Sequence, residues 1–262
     1  MAGVIQGSAW DIAVESVDET LREGVAPSLV HLGRLGQLGT LPSFLAALGD
    51  DDPQQLVEEL AHDRESLGLA PREIVAELVL LGRVLERRGE SAGRRALDEC
   101  LLAYFDQVTG ELAERARRDP LTGLLNHRAF HARLAEETAR ARRYRGHLAL
   151  IAFDLDRFKE LNDREGHAEG DRQLRAFASA LGSTLRETDT AGRLGGDEFA
   201  ALLLEADGET VRAFLERLTD RIAGEIAFSA GIACLPGDGI APEQLLAAAD
   251  DRLYAEKALR AA

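Results

Sequence analysis

Two short acidic stretches carry the chemistry legible in this chain. Phe153-Asp154-Leu155-Asp156 closes an apolar run that reads as a buried strand, and Gly195-Gly196-Asp197-Glu198-Phe199 sets two carboxylates at a glycine turn between two predicted strands. If those strands are neighbours, three or four carboxylates converge, and carboxylates held that close repel one another unless a cation or a proton neutralises them. A hard divalent cation, Mg²⁺ or Mn²⁺, is the simplest answer, because it takes oxygen ligands and completes its shell with substrate phosphates. The rival reading is a set of ordinary turn carboxylates facing water. The stretch from Asp156 to Asp171 tips the balance, since it packs amide, imidazole, ammonium, carboxylate and two glycines just beyond a strand. It offers backbone N–H groups and Lys159 to phosphates, and Asn162 and Asp171 to a base edge. An Asp accepts from both the ring N–H and the amino group of guanine, a pairing adenine cannot make, so guanine selectivity is expected.

The elements that must position these groups follow from periodicity. Leu148 to Phe153 is a continuous apolar run, Gln173 to Leu185 is helical, Phe199 to Leu204 is a strand, Val211 to Ile222 is helical, Glu225 to Cys234 is a strand and Pro242 to Arg260 is a closing helix. Strands interleaved with helices give an α/β or α+β domain over the second half. The first half reads as an all-α bundle. Ile74, Leu78, Leu81 and Leu85 line one face of a helix over Pro71 to Arg88, with weaker helical patterns over Asp11 to Glu23 and Pro53 to Leu67. The segment from His31 to Thr40 is interrupted by Gly33, Gly36 and Gly39 and reads as a loop-rich connection. From Ala96 to Arg118, Leu97, Leu101, Tyr104, Val108 and Leu112 form a heptad-like seam, ended at Asp119-Pro120. The expected domains are a regulatory bundle over 1–95, a linker helix over 96–118 and a catalytic domain over 119–262.

Composition narrows the partners. The 262 residues are 45% apolar and 29% charged, enough carbon for real cores and too much for a disordered chain. A net charge of −15 argues against capture of DNA or an anionic membrane through a basic face. The first 115 residues hold 21 acidic and 10 basic side chains and the rest 25 and 21, so most of the excess lies away from the candidate chemistry. No apolar run is long enough to span a membrane, and the start from Met1 to Trp10 lacks the features of a secretion signal, so a cytoplasmic location is expected. Cys100 and Cys234 have no metal-binding spacing and read as reduced, buried thiols.

Four stretches in order, Asp119-Pro120-Leu121-Thr122-Gly123-Leu124-Leu125-Asn126, Asp154 through Asp171, Arg193-Leu194-Gly195-Gly196-Asp197-Glu198-Phe199 and Leu253-Tyr254-Ala255-Glu256-Lys257, resemble the successive signatures of GGDEF-domain diguanylate cyclases. The resemblance covers about residues 119 to 260. It implies a palm-like fold with a mostly antiparallel sheet, as in nucleotide cyclases and polymerases. It also implies condensation of two GTP into cyclic di-GMP with release of two pyrophosphates, in a homodimer that presents one GTP per domain. Carried over by position, Asp154, the Leu155 carbonyl and Glu198 would hold the metal, and Asp197 would deprotonate the attacking hydroxyl or help hold a second ion. Asn162 and Asp171 would read guanine, and His167 would make a further substrate contact. Lys159, the backbone around Phe158 and Lys257 would meet the phosphates, with Gly195 and Gly196 letting the turn approach the nucleotide. Asp156 reads as structural. Arg186-Glu187-Thr188-Asp189, nine residues before Gly195, matches the family's inhibitory product site, with Arg217 as an assisting group; the alternative is a surface ion pair.

The chain departs from the family at its end. Lys257-Ala258-Leu259-Arg260-Ala261-Ala262 lacks the usual glycine-arginine-asparagine, and Arg260 is one residue closer than the usual phosphate-binding Arg, roughly 100° of rotation on a helix. His127 also stands where the family often has Arg. Weaker triphosphate binding is the expectation, and it keeps open a rival function, a catalytically silent domain that senses GTP or cyclic di-GMP and relays to a partner. A third reading is a helical scaffold with an incidental nucleotide domain. In the first half, the pattern from His62 to Leu85 followed by a long helix resembles the globin-like N-terminal domains of stressosome co-antagonist proteins. His31 and His62 are then the candidate haem or metal ligands, against the reading that each is simply solvated.

Overall fold

Helix caps punctuate the first half where the sequence supplies them. Ser8 accepts from Asp11 N to open α1 (Ala9–Glu23), which Gly24 closes at φ +66°, and Asp52 accepts from Gln54 N ahead of Pro53 to open α4 (Pro53–Ser66). The structure, a computed structural model, describes residues 8–222 and 226–261. The expectations for residues 1–7, for a strand start at Glu225 and for Ala262 fall outside those residues. The chain divides into two compact units, Met1–Ala113 and Glu114–Ala262.

The first unit is all helical, as expected. Between α1 and α4 the glycine-interrupted segment holds a 3₁₀ turn (Pro27–His31) and two short helices, α2 (Arg34–Leu38) and α3 (Leu41–Ala47). α5 (Pro71–Arg87) buries Ile74, Leu78, Leu81 and Leu85 against α1 and α4, and α6 (Ser91–Arg117) follows Gly89. α6 starts before the expected Ala96, because Gly89 at φ +76° ends α5 and Glu90 O already accepts from Arg94 N. The heptad-like seam is a core-facing stripe for most of its length. Leu97 and Tyr104 are buried in the bundle and Leu101 and Val108 pack against it, while Leu112 alone is exposed. Inside the bundle Arg64 and Glu77 form a bidentate pair at 2.8 and 2.7 Å with neither side chain exposed, and Arg64 Nη2 also donates to Leu38 O. His31 and His62 are both exposed.

The second unit is a five-stranded sheet in the order β1-β3-β4-β2-β5. The strands are β1 (Leu125–Asn126), β2 (Leu148–Leu155), β3 (Thr190–Gly195), β4 (Glu198–Leu204) and β5 (Phe228–Leu235). Only β1 with β3 is parallel, so the mostly antiparallel sheet is found. α9 (His167–Thr184) and α10 (Gly208–Ile222) cover one face, and α7 (His127–Tyr144) and α11 (Pro242–Ala261) the other. β2 lies between the two layers and every one of its residues is buried, which is why it reads as an unbroken apolar run. α11 seats directly on β5 because Gly231 has no side chain; a Cβ there would collide with Ala249 O and Leu253 N. The outer edge of β5 is closed by side chains. Ala230 N donates to Glu256 Oε2, Cys234 N donates to Asp238 Oδ2, and Arg252 bridges Ile232 O and Asp238, leaving fewer open groups to recruit another strand.

Candidate active site

The two acidic stretches meet. β2 and β4 are neighbours, and their register places Asp154 opposite Glu198. An aromatic cluster fixes both strand ends. Phe153, next to Asp154, and Phe199, next to Glu198, each stack on Phe177 of α9, with ring centroids 5.8 and 4.9 Å apart, and Phe228 of β5 completes the group. The turn between β3 and β4 is tied to β2 by Leu155 N donating to Asp197 O at 3.3 Å. Gly196 sits at φ +51°, which disfavours other residues, and nothing of the chain lies within 4 Å of a Cβ at Gly195 or Gly196, so the turn faces open space.

Three or four convergent carboxylates are not what the structure assembles. Among the described residues no three His, Cys, Asp or Glu side chains stand close enough to form a cage by themselves. Asp156 is drawn aside, accepting from Ser229 Oγ at 2.7 Å and pairing with Arg260 at 3.1 Å, which agrees with a structural role. The donor set at the strand ends is thus two carboxylates, Asp154 and Glu198, with the Leu155 backbone beside them. That set suits Mg²⁺ or Mn²⁺, which binds through one or two carboxylates and leaves positions for phosphate and water. Asp154 is 7% exposed. Burial pushes its carboxyl above the usual range, Lys257 pulls it back, and Asp197 and Asp156 push it up further.

Beyond β2 the chain turns through Arg157 at φ +56° into α8 (Phe158–Glu165), a helix where the sequence suggested only a segment past a strand. Its first-turn N–H groups and the exposed Lys159 lie at a helix N-terminus, the natural place for an anion. α8 packs on α9, and Asn162 Oδ1 is buried against Gly170 without a hydrogen-bond partner. A side chain at 170 would collide with that oxygen. Asp171, on α9 after Gly170, is half-exposed and lies 3.7 Å from Arg175; His167 opens α9 and is exposed. Lys257 of α11 reaches Asp154 Oδ2 at 2.5 Å. Arg260, the displaced arginine of the tail, is held by Asp156 and Glu256.

One arginine that the sequence left without a role organises the turn. Arg193 of β3 donates through Nε and Nη2 to Gly196 O at 3.0 and 2.7 Å, and its Nη1 lies 3.3 Å from Asp119 Oδ1. Asp119 in turn takes two hydrogen bonds from Thr122. Burial pushes the Asp119 carboxyl up, but Thr122 and Arg193 outweigh it and hold it below the usual range. Asp119 and Arg193 both fall in quoted motifs, yet nothing in 74 residues of separation indicates that they pair.

The Arg186 region is separate. Arg186 and Thr188 line a surface cleft of about 510 Å³ together with Glu137, Arg140, Tyr144 and His147. Asp189 does not simply pair with the Arg186 side chain as a surface ion pair would; it accepts from the backbone N–H of Arg186 and of Leu204, each at 3.1 Å. Arg217 is exposed on α10 and is not among the residues that line the cleft.

The family described as diguanylate cyclase, GGDEF domain, matches residues 116–261. Among curated proteins of Pseudomonas aeruginosa PAO1, diguanylate cyclase DgcP is 42% identical over 55% of this chain and 23% of its own length. Diguanylate cyclase TpbB is 34% identical over 79% of this chain and 49% of its own length. A cyclic di-GMP phosphodiesterase, NbdA, is 33% identical over 60% of this chain and 21% of its own length. The chain therefore spans half or less of these relatives. The structure of the P. aeruginosa diguanylate cyclase SiaD, solved with its activator SiaC, is 29% identical with a TM-score of 0.55, over 94% of this chain and 95% of that one. Among the described residues no helix is long and apolar enough to cross a membrane. With the sheet order, the paired carboxylates and the glycine turn in place, the chain belongs to the GGDEF-domain diguanylate cyclase family.

Proposed function

We propose that this protein condenses two GTP into cyclic di-GMP and two pyrophosphates. The observation that carries the reading is the register of Asp154 opposite Glu198 beside an open glycine turn. Asp154, Glu198 and the Leu155 carbonyl would hold Mg²⁺ or Mn²⁺, which when bound neutralises charge on the triphosphate. Asn162 and Asp171 read the guanine; the unpartnered Asn162 oxygen gains a donor when its amide turns to the base, and an unmet buried acceptor typically costs about 1–3 kcal/mol. His167 adds a substrate contact, and Lys159, the Phe158 backbone and Lys257 meet the phosphates. Asp197 takes the proton from the ribose 3′-hydroxyl as its oxygen bonds to the α-phosphorus of the facing nucleotide and pyrophosphate leaves.

A reaction between two nucleotides, each on its own domain, needs two copies of the chain. α6 supplies a surface for this. Leu102, Phe105 and Leu112 are 66%, 48% and 58% exposed and, with Thr109, recur at spacings of three, four and three, the period of a two-stranded coiled coil. This stripe, which runs one residue along from Leu101, Tyr104 and Val108 and ends at the exposed Leu112, joins the copies, and the helical unit modulates them, as a partner-regulated relative would suggest. Cyclic di-GMP inhibits by binding at Arg186 and Asp189. Arg260 is committed to Asp156 and Glu256, which favours the runner-up, a silent GTP or cyclic di-GMP sensor. Glu198→Ala should abolish product formation from GTP and Mg²⁺, and Arg186→Ala should lift product inhibition without stopping synthesis. Unchanged inhibition in the Arg186 variant would refute the second site.

A further inference from the structure

Lys257 stands 103 positions after Asp154, yet its Nζ lies 2.5 Å from Asp154 Oδ2, and the Asp154 side chain is 10% exposed. The neighbouring side chains of α11 hold it there. Glu256 Oε2 accepts from Ala230 N at the edge of β5, and Arg260 pairs with Asp156 at 3.1 Å, so this face of the helix is latched to the ends of β2 and β5 on both sides of Lys257. Asp156 is fixed in turn by Ser229 Oγ.

We infer that Lys257 competes with the divalent cation for Asp154 and thereby couples cation binding to triphosphate binding. The inference rests on the reading of Asp154 and Glu198 as cation ligands. An ammonium and a divalent ion cannot share one oxygen of a nearly buried carboxylate, because their repulsion is weakly screened there. A cation arriving alone must displace Lys257 and leave its charge without a partner. A cation arriving with a triphosphate offers the displaced ammonium phosphate oxygens, and the flexible lysine stem can turn to them without moving α11. The two ligands then bind with positive coupling, and that coupling is reciprocal. Lys257 is a positioning residue for the cation site as well as a phosphate contact.

The test is Mn²⁺ affinity of the full chain, read from the electron paramagnetic resonance signal of free Mn²⁺, with and without a GTP analogue bearing a methylene between the α- and β-phosphorus. Lys257→Met should bind Mn²⁺ roughly tenfold tighter than wild type without nucleotide, the size of one lost charge-assisted competitor. The same variant should bind the analogue more weakly at saturating Mn²⁺, and Lys257→Arg should retain the wild-type coupling. Lys257 is 41% exposed, and a thermal melt checks that the variant is folded. Equal or weaker Mn²⁺ binding by Lys257→Met without nucleotide, with Asp154→Asn still impairing it, would overturn the inference alone. If Asp154→Asn and Glu198→Gln both leave Mn²⁺ binding at the wild-type level, the cation is held elsewhere and the site reading falls with it.

Discussion

Replacing Arg193 by Ala should damage stability and turnover together, because one guanidinium joins the glycine turn to the loop that opens the catalytic unit. The side chain is 15% exposed and that of Asp119 19%, so the contacts are shielded but not dry. A hydrogen bond involving a charged group is worth about 1.5–3 kcal/mol net. Arg193 grips Gly196 O with two N–H groups that share the one acceptor and so count as a single bond, and makes one contact with Asp119, but Asp119 keeps its two bonds from Thr122 when Arg193 is gone. Discounting for that and for partial solvation leaves a loss of about 2–4 kcal/mol. For a unit of this size that lowers the melting temperature by roughly 4–16 °C. Freed of its anchor, Gly196 no longer fixes where Asp197 and Glu198 point, and a misplacement of about 1 Å can cost on the order of a hundredfold in rate. Calorimetry and a pyrophosphate-release assay read the two effects. Arg193→Lys should recover only part, since an ammonium cannot reproduce the planar fork. An Arg193→Ala variant that melts within about a degree of wild type and turns over GTP normally would refute the reasoning.

Further expectations concern the rest of the chain. Arg64→Ala strands Glu77 in the bundle, whose carboxyl burial already pushes above its usual range, and should cost about 3–5 kcal/mol in a urea melt; a loss under about 1 kcal/mol would contradict the burial of the pair. Phe105→Glu places a charge in the exposed stripe of α6 and should shift the chain to monomer in sedimentation, with a drop in turnover per chain; an unchanged dimer would exclude this surface. Asp238 is held down to about 2 by Arg252, below its ordinary 3.8. A depressed carboxylate stabilises the fold above its unfolded pKa and loses that contribution as pH falls through the folded value. Stability should therefore decline between about pH 4 and 2, and Asp238→Asn should flatten that part of the acid limb in a pH series of thermal melts.

What the sequence made legible is local. Asp154 and Glu198 could be found because each ends or begins a strand whose apolar residues announce it, and β2 with its eight buried residues is the plainest case. α7 went unread, since Phe130 and Leu134 are its only large apolar side chains that are buried, amid a run of arginines and glutamates. α8 buries no residue at all and carries no stripe to find. The seam in α6 shows a different limit. Spacings of three and four suit a coiled coil and a helix packed on its own bundle equally well, and only the structure separates the inward Leu97–Tyr104 stripe from the outward Leu102–Phe105–Leu112 one. The pairs Lys257 with Asp154 and Arg193 with Asp119 depend on which strands are neighbours, so no local pattern holds them. The same topology removed Asp156 from the expected carboxylate cluster by giving it Ser229 and Arg260.

The central claim is the chemistry, and it is tested most directly by incubating the full chain at high concentration with GTP and Mg²⁺ and separating the nucleotides by chromatography. The account predicts cyclic di-GMP with two pyrophosphates for each product molecule, and none from Glu198→Ala. GTP that is bound and recovered intact would contradict it and leave the domain a sensor.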